Sequence, residues 1–294
     1  MPQKKILLIG TTGQVGWELQ RCVQTLGKVV ASTKSHIDLT APDSIRQMIR
    51  EIKPTIILNA AAYTAVDKAE QDTELAHAIN ATAPGIIAEE SLRINSLLIH
   101  YSTDYVFNGK QTQPYTETDE VNPLGVYGTT KLAGEQAIQA IGGQYLILRT
   151  SWVYGLRGKN FLLTMQRLAK ERNELKIIAD QFGAPTWSRM IAQATTHILT
   201  QLYTPLYKLD IKTLSGTYHL TCAGKTSWYE FAKAIITHSD KQMRVLPITT
   251  ADYPTPAQRP TYSVLSNAKI AKTFGITLPA WDKALNLCLN NMEN

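Results

Sequence analysis

Tyr127 and Lys131 stand four residues apart in the stretch Tyr127-Gly128-Thr129-Thr130-Lys131. On a helix that spacing puts a phenol and an ammonium on one face, one turn apart. A phenol titrates near ~10, and a fixed cation beside it favours the phenolate and lowers that value. The pair is thus a candidate general acid with its tuning cation, usable near neutrality. A third group could complete it. The apolar run Leu97 to Tyr101 leads into Ser102-Thr103-Asp104-Tyr105-Val106-Phe107, and a hydroxyl at a strand end can donate to a carbonyl held before the phenol. Thr103 is the candidate and Ser102 the competitor, because neighbours in an extended strand point to opposite sides. Y-x-x-x-K alone describes a solvated helix face equally well, so the elements around it decide.

Those elements alternate. Ile6 to Ile9 is a short apolar run of the kind that reads as a strand buried on both faces of a parallel sheet. Gly10-Thr11-Thr12-Gly13-Gln14-Val15-Gly16 follows it, and then a helical run from Trp17 to Leu26. Glycines between strand and helix serve a tight turn, close approach of backbone N–H groups to a pyrophosphate, and close packing of helix on strand. Gly10, Gly13, Gln14, Val15 and Gly16 are accordingly expected at a dinucleotide. The next strand, Lys28 to Thr33, ends without the carboxylate that would hold both ribose hydroxyls and repel a 2'-phosphate. This places Thr33 at the adenosine ribose and favours NADPH, with NADH also accepted. Thr55 to Leu58 is a further buried strand, and the small residues of Asn59-Ala60-Ala61-Ala62-Tyr63-Thr64 leave room for a ligand against the backbone. Helices are expected over Ser44 to Ile52 and around Asp72 to Ile87, and Tyr145 to Arg149 reads as the next strand.

After Thr150 the alternation loses its regularity. Helices are expected over Phe161 to Arg172, Arg189 to Tyr203 and from Ser227 to about His238, with strands over Leu175 to Ile178 and Thr217 to Leu220. The expected organisation is a dinucleotide-binding domain over 1–150 and a smaller substrate domain over 151–294, with the helix near 189–203 and the strand near 217–220 packing back on the first. A chain of 294 residues, 44% apolar and 18% charged, can bury cores of this size. Its 30 basic and 24 acidic residues are scattered, with no block resembling a nucleic-acid arm. Cys22, Cys222 and Cys288 lack disulfide or metal-ligand spacing and read as free thiols in a reducing compartment. The four-residue apolar strand after Met1-Pro2-Gln3-Lys4-Lys5 is too short for a signal peptide or a membrane span. A cytoplasmic protein with no nucleic-acid or membrane partner is expected.

The strings Ser102 to Gly109, Tyr115-Thr116-Glu117, Asn122-Pro123, Tyr127 to Glu135, Arg149 to Gly155, Asp180 to Thr186 and Tyr253 to Pro260 are similar to those of the dTDP-4-dehydrorhamnose reductases. These are extended members of the short-chain dehydrogenase/reductase superfamily, and the likeness covers nearly the whole chain. It implies an α/β fold with a Rossmann-type doubly wound parallel sheet and a smaller C-terminal α/β domain. It also implies reduction of the C4 ketone of dTDP-4-dehydro-L-rhamnose with NADPH or NADH, the last step of dTDP-rhamnose biosynthesis. Tyr127 would give the proton, Lys131 would tune it and hold the nicotinamide ribose, and Thr103 would orient the carbonyl. Asp38 and Leu39 would touch the adenine, and Ala61, Ala62, Tyr63 and Thr64 would lie along the cofactor. Thr103, Asp104, Tyr105, Val106, Trp152 and Arg259 would meet the substrate, Arg259 on its diphosphate. Some members are dimers bridged by magnesium through two glutamates. Glu18 matches the first of these, but Arg189 stands at the second and a guanidinium cannot ligate a cation. No metal is expected, and a homodimer is left open. The alternatives are another nucleotide-sugar epimerase or reductase of this fold, or a non-catalytic regulatory subunit built on it.

Overall fold

The computed structural model describes residues 4–207, 209–238 and 243–290; Met1, Pro2 and Gln3 lie outside the described residues. Five strands, β1 (Lys5–Ile9), β2 (Lys28–Ser32), β3 (Ile56–Asn59), β4 (Leu97–Thr103) and β5 (Gln144–Thr150), form one sheet. A sixth strand, Gly216–His219, adds beside β5. All pairings are parallel and the order is Gly216–His219, β5, β4, β3, β1, β2. From β1 the chain goes to β2 on one side and then returns to β3 on the other. The crevice at the carboxyl ends of β1 and β3, where the order reverses, is where such sheets take ligands.

Alternate residues of these strands feed two cores. Ile6, Leu8, Ile56, Leu58, Leu97 and Ile99 face one side, with Ile191 and Ile198 of the helix Ser188–Tyr203. Leu7, Ile9, Ile57, Leu98 and Ile147 face the other, with Ile45 and Ile49 of the helix Pro42–Ile52. Covering both faces is what lets the strands run without polar alternation. The helix Ser188–Tyr203 packs along the glycine-loop helix Gln14–Cys22, and Arg189 Nε reaches Glu18 at 3.2 Å.

Three elements differ from the sequence reading. The first helix begins at Gln14, three residues before Trp17, because Gly13 is extended (ψ 167°) and takes the N-cap. The single helix expected around 72–87 is Thr73–His77, a wide turn Ala78–Thr82 with π-type bonding, and Ala83–Arg93. Pro84 has no N–H for the carbonyl four residues earlier, that of Asn80, and that carbonyl lies where a Cβ on Gly134 would come within 2.1 Å of it. The strand Glu174–Ile178 stays out of the main sheet and pairs in parallel with Arg244–Ile248. Pro247 disguised that second strand, since proline within a run argues against a central strand but suits an edge. No helix of the described residues is long and apolar enough to cross a membrane.

Candidate active site

A cleft of about 550 Å³ opens at the strand-order reversal. Gly10 lies at φ +89°, and a Cβ there would sit 2.6 Å from the Ala61 nitrogen, so the loop can lie against the end of β3 only as glycine. Gly13 N–H donates to the Gly10 carbonyl at 3.1 Å, and Thr11 Oγ1 donates to the Ser32 carbonyl at 3.2 Å, strapping the loop to β2. Of the residues expected at a dinucleotide, Gly10, Gly13, Gln14, Val15, Thr33, Asp38, Leu39, Ala61, Ala62 and Thr64 line this cleft, as do Tyr127 and Lys131. Two expected contacts are elsewhere. Gly16 is buried beneath the loop, where a Cβ would come within 2.1 Å of the Gly10 carbonyl. Tyr63 turns outward to donate its hydroxyl to Asp72 at 2.7 Å, while its backbone N–H and carbonyl are both held by the Asn80 amide at 2.8 and 3.0 Å. Asn80 also reaches Thr130 Oγ1 at 3.2 Å, so one side chain ties the Ala-rich segment to the helix of Tyr127.

That helix is Val126–Ile141. Its N-cap Gly125 has no side chain to offer, and Glu70 Oε1 accepts from Val126 N–H at 2.9 Å instead. A carboxylate there answers the unpaired N–H groups and positive end of the helix. A Cβ on Gly128 would come 2.3 Å from the Tyr105 carbonyl, so glycine lets the first turn seat against the end of β4. The rings of Tyr105 and Tyr127 meet edge to face at 5.6 Å.

The proton chemistry departs from the expected tuning. Burial pushes the Tyr127 phenol up to about 12; the Thr103 hydroxyl pulls it down and the Asp104 carboxylate adds to the rise. Lys131 does not enter this balance. Its Nζ donates to the Tyr101 carbonyl at 2.7 Å and meets His100 Nε2 at 3.1 Å, and burial lowers it to about 8. Tyr127 is therefore protonated at neutral pH, the state a proton donor needs.

Thr103 and Ser102 divide the work differently from the sequence expectation. Ser102 lines the cleft, and its buried hydroxyl has no partner among the described residues. The Thr103 oxygen accepts from Tyr105 N–H at 3.2 Å and donates to Asp104 Oδ1 at 3.2 Å, while acting on the Tyr127 phenol. Asp104 takes a further bond from Ser151 at 3.0 Å, and burial raises its carboxyl to about 6 despite these donors. The unfolded value is near ~3.9, so between the two the folded chain holds an extra proton. Stability from this group is present at the acid end and is lost as pH rises through about 6. Asp104→Asn should reduce the fall in urea midpoint between about pH 4 and about pH 7; an unchanged fall would contradict the assignment.

On the substrate side, Val106 is buried in an apolar cluster with Phe107 and Tyr115 and meets no ligand space, because the turn Asp104–Val106 rotates it inward. Trp152 does not line the cleft either. It holds φ +47°, stacks on Trp228 with ring centroids 3.5 Å apart, and leaves room at Gly183 only for hydrogen. Arg259 is tied to Asp67 at 2.7 Å. It borders a second, larger hollow of about 1450 Å³, with Arg167, Arg172, Lys176, Trp228 and Tyr253. Arg167, Arg172 and Lys176 were unremarkable in sequence, since cations on an amphipathic helix and strand read as a solvated face; Glu70 and Asn80 likewise act through contacts distant in sequence.

A family model described as the RmlD substrate binding domain matches residues 4–294. A dTDP-4-dehydrorhamnose reductase of Burkholderia thailandensis is 47% identical, covering 98% of this chain and 99% of the relative. One of Escherichia coli K12 is 45% identical, covering 98% and 97%. Among solved structures, the Bacillus anthracis dTDP-4-dehydrorhamnose reductase in complex with NADP superposes with a TM-score of 0.91 at 34% identity over 98% of this chain and 99% of that one. A Thermus thermophilus UDP-glucose 4-epimerase at 19% identity, TM-score 0.81, shares the fold. With the glycine loop, the Tyr127 and Lys131 helix and the flanking hollow all in one chain, and relatives matched end to end, the protein belongs to the dTDP-4-dehydrorhamnose reductase family.

Proposed function

We propose that the chain reduces the C4 ketone of dTDP-4-dehydro-L-rhamnose to dTDP-L-rhamnose with NADPH, and with NADH as a second donor, in the cytoplasm. The observation that carries this reading is a phenol, Tyr127, lining the same cleft as the glycine loop. The residues fit a dinucleotide: Gly10 and Ala61 meet without side chains between them, and no carboxylate ends β2. The bound cofactor supplies the hydride. Tyr127 gives the proton to the carbonyl oxygen. Thr103 and Ser102 are the hydroxyls at the end of β4 that can hold that oxygen as negative charge develops on it. Lys131 lies one turn along the helix, where a nicotinamide ribose would reach it. Three free thiols, Cys22, Cys222 and Cys288, suit a reducing compartment.

Residues 1–150, with the helix Ser188–Tyr203 and the strand Gly216–His219, form the cofactor unit in this reading; the remainder of 151–294 forms the sugar-nucleotide unit. The hollow bordered by Arg167, Arg172, Lys176 and Arg259 gives cations for a diphosphate. Arg259 would engage it by exchanging Asp67 for phosphate oxygens, and Trp152 would meet the deoxysugar through its stack with Trp228. Arg189 pairs with Glu18 at 3.2 Å, a guanidinium standing where a metal-bridged dimer would need a carboxylate. Adding dTDP-4-dehydro-L-rhamnose to enzyme and NADPH should abolish the reduced-nicotinamide absorbance, and absorbance that persists would refute the proposal.

Lys34 gives the cofactor preference a handle. It is exposed, lines the cleft directly after Thr33, and can pair with a 2'-phosphate. Lys34→Glu should weaken NADPH binding roughly tenfold or more, by loss of one charge pair and gain of a repulsion, while NADH binding changes little. Calorimetric titration with each cofactor checks this, and equal losses for both would count against it.

A further inference from the structure

Lys131 is followed by two further buried polar side chains, His100 and Asn59. Lys131 Nζ lies 3.1 Å from His100 Nε2, His100 Nδ1 lies 3.1 Å from Asn59 Nδ2, and Asn59 Oδ1 accepts from Ala61 N–H at 3.3 Å. None of the three is more than 1% exposed. Their protons can be assigned from the far end inward. The Ala61 N–H can only donate, so the amide oxygen of Asn59 must face it and the NH₂ must face His100. That NH₂ also only donates, so His100 Nδ1 is the acceptor and a neutral ring carries its proton on Nε2. The Nε2–H then points at Lys131 Nζ, which can accept it only with a free lone pair, and an ammonium has none. The hydrogen bonds seen are therefore those of Lys131 as an amine. It accepts from His100, gives one N–H to the Tyr101 carbonyl, and keeps one for the cleft.

We infer that His100 is a positioning residue whose tautomer is coupled to the charge on Lys131: the amine goes with a proton on Nε2, the ammonium with a proton on Nδ1. When Lys131 takes a proton from solvent through the cleft, Nε2 must become the acceptor, the ring proton moves to Nδ1, and the Asn59 amide turns over to receive it. Ala61 N–H then loses its acceptor. Because Ala61 lines the cleft, the lysine's charge is linked to the backbone segment that borders the dinucleotide. The charges around the pair allow the switch. Burial lowers Lys131 to about 8 and drives His100 well below the ordinary imidazole range, so the ring stays neutral throughout. Glu135, one turn further along the helix, favours the ammonium but is held by Arg149 of β5; Tyr127, one turn back, is an uncharged phenol, and Tyr101 offers its carbonyl.

The inference deepens the reading of Lys131 given above, yet its test needs neither substrate nor turnover, so the two can fail separately. Nitrogen NMR of histidine-labelled protein, with the His100 signals identified by their loss in His100→Gln, should show a neutral ring from about pH 6 to about pH 10. Its protonated nitrogen should change from Nδ1 to Nε2 across the same midpoint as the Lys131 side-chain signals. Asn59→Asp supplies a carboxylate that accepts from Nδ1–H and from Ala61 N–H without turning over. It should lock the first tautomer and raise the Lys131 midpoint by more than about one unit. A tautomer that stays constant over this range in the wild type, or a ring that becomes cationic, would overturn the proposal; so would a Lys131 midpoint unmoved in Asn59→Asp.

Discussion

Tyr127→Phe is expected to bind NADPH as the parent does and to lose turnover by about 10² to 10⁴, the range that a positioned proton donor contributes. The change removes one oxygen from a half-buried ring whose edge-to-face contact with Tyr105 survives, so the fold should be unaffected. Reduction of a ketone leaves an alkoxide that must be protonated as it forms, and the Tyr127 phenol, which lines the cleft, stays protonated at neutral pH and can supply that proton. Thr103 and Ser102 can hold the oxygen but cannot supply a proton without becoming alkoxides themselves. Fluorescence titration of NADPH together with steady-state rates separates the two effects. A variant with near-parental turnover would remove Tyr127 from the mechanism, and one that no longer bound NADPH would make its role structural.

The second large effect is on stability. Glu135 is buried, and Arg149 meets its carboxylate through Nε at 3.0 Å and Nη2 at 2.6 Å. The pair links the catalytic helix to β5, and Arg149 also lies over the Phe107 ring at 5.2 Å. Glu135→Ala would leave a guanidinium buried without a counter-charge, which costs about 3–5 kcal/mol. Folded domains hold only about 5–15 kcal/mol in total, so the variant should unfold at a much lower urea concentration with an unchanged slope. A midpoint within error of the parent would mean that Arg149 finds another partner or reaches water.

How much of this could be read from the residues follows from how local each signal is. The glycine loop, the buried strands and the Tyr127 and Lys131 spacing are written in consecutive residues, and the structure has the sheet and cleft that those residues imply. The wide turn at Asn80 was not legible, because its cause is a proline four residues on and a glycine from another helix, while the apolar pattern runs through unbroken. The surroundings of Trp152 were not legible for a different reason: its left-handed backbone turns the ring onto Trp228, and sequence pattern carries no mark of a tryptophan at positive φ. The tuning of Tyr127 by Lys131 was inferred from spacing on one helix, and spacing omits the neighbouring strand. Once β4 is in place, His100 and the Tyr101 carbonyl engage the Lys131 nitrogen, and burial governs the phenol.

The central claim is that hydride passes to the sugar carbon while Tyr127 protonates its oxygen. The most direct measurement uses NADPH carrying deuterium at nicotinamide C4, one cofactor stereoisomer at a time, with dTDP-4-dehydro-L-rhamnose in a single turnover followed by mass spectrometry of the sugar. With one stereoisomer the product dTDP-L-rhamnose should carry one deuterium at C4, and with the other none. Product without deuterium from either form, or an interconverted sugar with no net oxidation of NADPH, would contradict it.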